Sequence, residues 1–118
     1  MVISMDIGSV GLQEVNLIIP QNTSLAFDIV HTDEDGTVID HSQSDIHMVA
    51  VMKDKTNYDM SRWCSGEAER IRVTIPRSIS DDVSIGKYPW DMIVDTVNGD
   101  SIRVAYGKLI VVDTYALD

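Results

Sequence analysis

Few residues in this chain have types that do chemistry, and their spacing argues against most of it. Cys64, the single cysteine, sits beside Arg62 and Trp63, and a neighbouring guanidinium favours a thiolate. No His/Asn arrangement of a cysteine hydrolase accompanies it, so a buried, idle thiol is expected. His31, His41 and His47 do not fall at metal-ligand spacing, and no cysteine pair completes a site. They read as ordinary surface histidines, with His47 able to meet Asp45 on one strand face. Asp33-Glu34-Asp35-Gly36 lacks the alternating ligands and distal glutamate of a calcium loop, which leaves a solvated turn. Asp81-Asp82 reads as helix capping, and Asp91 and Asp95 as solvated residues of an outer strand face. No serine occupies a nucleophile elbow, and no glycine-rich loop opens a helix. The expectation is a non-enzyme with no catalytic, metal or cofactor-binding residue.

The bulk properties point the same way. At 118 residues the chain reads as one domain, 1–118, able to bury about two-thirds of its unfolded surface. Aromatic residues make up only 6% against 44% hydrophobic overall, so Val, Ile, Leu and Met must carry the core. A net charge of −10 opposes binding to nucleic acid or to an anionic membrane, and suits docking to a basic protein patch. A lone cysteine fits folding in a reducing cytosol. Neither a signal peptide nor a membrane-length apolar run is present in the sequence.

The elements that must position these residues read as strands. Tyr88, Trp90, Met92 and Val94 alternate with Pro89, Asp91, Ile93 and Asp95, the period of a strand with one buried face. Asn98-Gly99 is expected to supply two positive-φ positions for a tight hairpin, and Gly107 a bulge in the return strand. Further strands are expected at Val2–Asp6, within Leu12–Ile19, at Leu25–Val30, Thr37–Ile39, Ile46–Met52 and Ile71–Ile75. The strand at Ile46–Met52 carries apolar groups on both faces and is expected to be central and covered. One helical turn is allowed near 78–82, capped by Ser78 or Ser80. No sustained helical periodicity occurs. Turn signals about every ten residues predict an all-β, Ig-like antiparallel sandwich of about seven or eight strands. Residues 1–11 form an N-terminal strand able to detach, and 113–118 a polar tail.

Two regions remain for partners. Val2, Ile3 and Met5 lie on the N-terminal strand, which Gly8 and Gly11 leave free to quit the body. Tyr58, Met60 and Trp63 lie in an irregular stretch whose residue types are enriched at interfaces and also stack on sugars.

The ordered set Gln21-Asn22-Thr23, Asp33-Glu34-Asp35-Gly36, Ile71-Arg72-Val73-Thr74-Ile75-Pro76, Gly86-Lys87-Tyr88-Pro89-Trp90-Asp91, Asn98-Gly99 and Gly107-Lys108-Leu109-Ile110-Val111 resembles the Ig-like domain at the N-terminus of phage upper-baseplate proteins and related small tailed-phage virion proteins. The match spans about Leu17 to Val112. Members of that group usually continue into a helical or fibre region, whereas this sequence stops at Asp118, as a small virion protein or an excised domain. The resemblance implies a structural, adaptor or accessory role in the virion, made in the host cytoplasm and assembled as a homo-oligomer. Its partners would be tail, baseplate or capsid proteins. A carbohydrate-binding module on a host glycan, with Tyr58 and Trp63 as the platform, is the alternative, as is head decoration.

Overall fold

The computed structural model describes residues 2–6 and 13–113. Among the described residues, ten strands form two facing sheets: β1 (Val2–Asp6), β2 (Gln13–Glu14), β3 (Leu17–Pro20), β4 (Leu25–Val30), β5 (Asp45–Val51), β6 (Asn57–Asp59), β7 (Cys64–Gly66), β8 (Ile71–Ile75), β9 (Gly86–Asp95) and β10 (Ser101–Val112). One sheet runs β1-β4-β8-β7, and the other runs β10-β9-β5-β6 with β2 and β3 on the free side of β10. Because β2 and β3 continue one edge and β6 and β7 are three residues each, the body is the sandwich of seven or eight strands read from the sequence.

The central ladders, β4 with β8 and β5 with β9 and β10, are antiparallel. The N-terminal additions are parallel: β1 pairs β4 from Val2↔Ala26 to Asp6↔Val30, and β3 pairs β10 from Leu17↔Leu109 to Pro20↔Val112. The core fills from the alternating residues. Phe27, Ile29, Met48, Ala50, Ile71, Val73, Ile75, Met92 and Val94 are all fully buried, with Trp90 and Tyr88 beside them. Burying Leu- or Ile-sized side chains contributes on the order of 2 kcal/mol each, which lets the core close with a single Phe.

Tyr88 does more than fill space. Its hydroxyl donates to the Ser84 carbonyl at 2.6 Å, tying the start of β9 to the connection that precedes it. A tyrosine so placed is a hallmark of immunoglobulin-type sandwiches.

Local readings need correction at several points. In the β9–β10 loop only Gly99 has positive φ, at 89°. The Gly99 N–H donates to Thr96 O at 3.0 Å and the Thr96 N–H to Asp100 O at 2.8 Å, a longer loop in which a four-residue turn ends on a left-handed glycine. Asn98 is therefore free of the strain a two-residue hairpin would impose. The bulge lies between Arg103 and Ala105, not at Gly107, and makes Val104 and Ala105 consecutive buried residues. Gly107 stays in register opposite Trp90. It is needed there because a Cβ would stand 1.8 Å from the Val15 carbonyl oxygen.

Helix α1 (Arg77–Asp82) occurs where a helical turn was allowed, but Pro76 precedes it as N-cap with no side-chain cap, and no acid lies in its first turn. Ser78 falls inside the helix and Asp81-Asp82 at its C-terminal end, so neither performs the capping expected. Proline fits just before the first turn because its missing N–H would go unpaired there anyway. The return at Thr37–Ile39 is a single bridge, Thr32↔Val38. Strand β5 is central and covered in part on its second side, where Val49 and Val51 are half-buried and His47 is exposed.

Candidate functional site

The structure puts the two sequence-predicted regions on opposite sides of the sandwich. Among the described residues, strand β1 forms one edge of its sheet and pairs only with β4. The Tyr58–Cys64 stretch lies where the chain leaves β6, the far edge of one sheet, and enters β7, the far edge of the other. It does so through a 3-10 turn at Ser61–Trp63. Side-chain oxygens shape this corner: Asp59 Oδ1 accepts from the Ser61 N–H at 2.9 Å, and Ser61 Oγ accepts from the Met48 N–H at 3.0 Å.

Met60 is withdrawn as a partner-binding residue, since it is 1% exposed and belongs to the core. A methionine between two half-exposed aromatics gave no periodic signal of its direction. Tyr58 and Trp63 are half-buried, with ring centroids 6.3 Å apart and planes 26° from parallel. The Arg62 guanidinium lies over the indole at 4.5 Å. The two rings lie in near-parallel planes, and the guanidinium covers one face of the indole. The same contact takes Arg62 to the indole and not to Cys64. The thiol packs 3.8 Å from Met48 Sδ, and burial pushes its pKa up to about 12.

Two other clusters were not legible. His31 and His41 are 5% and 1% exposed, not surface residues. Their rings stack in parallel planes with centroids 5.3 Å apart, and His31 Nδ1 lies 3.1 Å from His41 Nε2. His41 Nδ1 in turn meets Ser44 Oγ at 3.1 Å. This chain of hydrogen bonds is satisfied with both rings neutral, running in either direction. Burial lowers the pKa of both, and the proximity of His31 adds to the effect at His41. The ten-residue separation hides the pair, because the turn that folds His41 back onto His31 leaves no mark at a fixed spacing. Gly66 belongs to the same packing: a Cβ there would meet the His41 carbonyl oxygen at 2.2 Å.

Asp28 is also buried, on the outward side of β4. It accepts from Arg72 Nε and Nη2 at 3.0 and 3.3 Å, and Arg70 approaches at 3.5 Å. The Arg72 hydrogen bond holds its carboxyl below the usual carboxylate range against the cost of burial. His47 pairs across strands with Asp95 at 3.0 Å instead of meeting Asp45. Asp91 binds Arg103. Among the described residues no group of three or more His, Cys, Asp or Glu could hold a metal ion.

A cleft of about 510 Å³ opens beside the histidine pair. Its walls are His31, Ile39, Ile102 and Arg103, and its rim is the acidic turn Asp33-Glu34-Asp35. Asp33 Oδ1 organises that turn by accepting from the Asp35 and Thr37 N–H groups, with Gly36 in the left-handed region at φ 81°.

In comparisons with known proteins, no family model and no curated protein matches the chain. Among solved structures, the N-terminal domain of phage TP901-1 ORF48 matches over 93% of this chain and 95% of that one, with TM-score 0.50 and 13% identity. A family 123 glycoside hydrolase from Clostridium perfringens aligns with 85% of this chain over only 23% of its own length, with TM-score 0.33 and 14% identity. The sandwich thus resembles the phage domain from end to end, as a fold.

Proposed function

We propose that this protein is a non-enzymatic structural component of a phage virion, an adaptor or accessory protein of the tail or baseplate that acts through protein–protein contacts. The observation that carries the reading is the end-to-end fold likeness to a phage N-terminal domain, 93% of one chain on 95% of the other. The ordered turn and strand motifs, which resemble the upper-baseplate domains, support it independently. A fold alone does not fix a function; here the motif order agrees with it.

The two edges suggest how it would assemble. On one side β1 can extend or exchange its pairing with a neighbour by β-augmentation. On the other, Tyr58, Arg62 and Trp63 form a half-exposed aromatic and cationic patch of the kind enriched in interfaces. Contacts between unlike edges of identical copies are heterologous and close into rings when the rotation allows, consistent with a homo-oligomer in the particle. Mass spectrometry of purified particles, with immunogold labelling, tests the reading. The protein should be present at a fixed copy number; its absence from particles that infect normally would overturn the proposal.

A further inference from the structure

We propose that the cleft between the Asp33–Gly36 turn and the start of β10 receives a lysine or arginine side chain from a neighbouring protein. From the virion reading it takes only that the neighbour is a protein; the chemistry comes from the cleft.

Three features converge on such a guest. The walls include two isoleucines, Ile39 half-buried and Ile102 38% exposed, apolar surface against which a long aliphatic stem packs. Asp33, Glu34 and Asp35 hold three carboxylates at the rim. The one cation beside them, Arg103, is already committed: Nε donates to Asp91 Oδ1 at 2.7 Å, and its guanidinium lies 4.9 Å from the centre of the Tyr106 ring. The cleft therefore presents unneutralised negative charge around an apolar floor, complementary to an ammonium or guanidinium on a hydrocarbon stem and to no anion.

The third feature is His31, a polar ring 95% buried that lines the cleft. Its Nδ1 is tied to His41, and no described group hydrogen-bonds its Nε2. When the histidine chain runs with each Nδ1–H donating, towards His41 and then Ser44, Nε2 is left as a bare acceptor. A cationic donor in the cleft selects that direction. Burial keeps the ring neutral at neutral pH, so it does not repel the guest.

The test uses the full-length protein and three small probes: N-acetyl-lysine methylamide, the arginine equivalent and the uncharged norleucine equivalent. Chemical-shift titration should move the Ile39 and Ile102 methyls and the His31 ring with the lysine or arginine probe but not with norleucine. The His31 imidazole nitrogens should shift to the Nδ1–H tautomer. The double variant Glu34→Gln/Asp35→Asn alters two exposed side chains and should keep the native spectrum while weakening binding about threefold to tenfold, the worth of two partly exposed charge pairs. Equal response to norleucine, shifts spread over the whole acidic surface, or an unaffected double variant would each overturn the proposal. Particle composition is a separate readout: lysine binding by a protein missing from virions would remove the virion reading and leave the cleft standing.

Discussion

Trp90 donates its indole N–H to the Val15 carbonyl at 3.1 Å, joining residues 75 positions apart inside the core. Three further facts meet at Val15. The Val15 N–H donates to Tyr106 O at 2.7 Å, Gly107 pairs with Trp90 across the ladder, and Gly107 has no side chain where the Val15 carbonyl passes. A single residue between β2 and β3, Val15, is thus bonded to both β9 and β10 and pressed against Gly107 of β10.

Gly107→Ala should be among the most damaging single changes, because the obstacle is backbone and not a side chain that could swing away. Separating the β2–β3 edge from β10 should cost several kcal/mol, about 3 or more. Trp90→Phe, which keeps most of the ring volume but leaves a buried carbonyl short of a donor, should cost about 1–3 kcal/mol. Urea denaturation of the two variants checks the order: Gly107→Ala well below Trp90→Phe, and both below wild type.

The histidine pair predicts an acid-sensitive fold. Both rings have pKa values lowered by burial, whereas in the unfolded chain they titrate near about 6.5. The unfolded state therefore binds more protons below that pH, and stability falls as pH drops from about 6.5 towards the folded values. The slope is at most about 1.4 kcal/mol per pH unit for each ring. Thermal melts between pH 7.5 and 5 should show this decline, and the double variant His31→Phe/His41→Phe should flatten it. An unchanged slope in that variant would mean other groups cause it.

Cys64 should be chemically quiet. With its pKa near 12, only roughly one thiol in ten thousand is ionised at pH 8, and the thiolate is the reactive form. Ellman's reagent should label the native protein very slowly and the urea-unfolded protein at once. Fast native labelling would contradict the half-buried position beside Met48.

Removing the first ten residues tests the N-terminal edge. Because β1, among the described residues, pairs only with β4, the remaining sandwich should stay folded and cooperative while the proposed self-association weakens in size-exclusion chromatography with light scattering. Loss of the folded state would instead make β1 an integral part of its own sheet.

How much of this could be read from residues alone depends on the range of the interaction. Strands β4, β8 and β9 were legible because alternation is local: Leu25, Phe27 and Ile29, or Tyr88 to Val94, declare a buried face without reference to a partner. The hairpin was legible as a hairpin, but its type was not, since Asn98-Gly99 fits both a two-residue turn and the last half of a longer one. Gly107 was read as a bulge because glycine within a strand has two meanings, and only the position of Val15 chooses between them. The histidine pair, the cleft and the burial of Met60 are products of tertiary packing. Each depends on chain segments that meet only after the sheets close. The parallel joins of β1 and β3 leave no pattern in the sequence, because alternation is the same for either strand direction.

Those joins also impose an order of events during synthesis. Residues Leu17–Pro20 leave the ribosome long before their ladder partner, Leu109–Val112. Until β10 emerges, β3 has no strand beside it and Val15 lacks the Tyr106 carbonyl that accepts its N–H. Such long-range pairing slows folding and leaves apolar strand edges bare in the meantime. The sandwich is therefore completed only once β10 has emerged, and translation stalled before residue 101 should yield a nascent chain that protease cuts readily and chaperones hold.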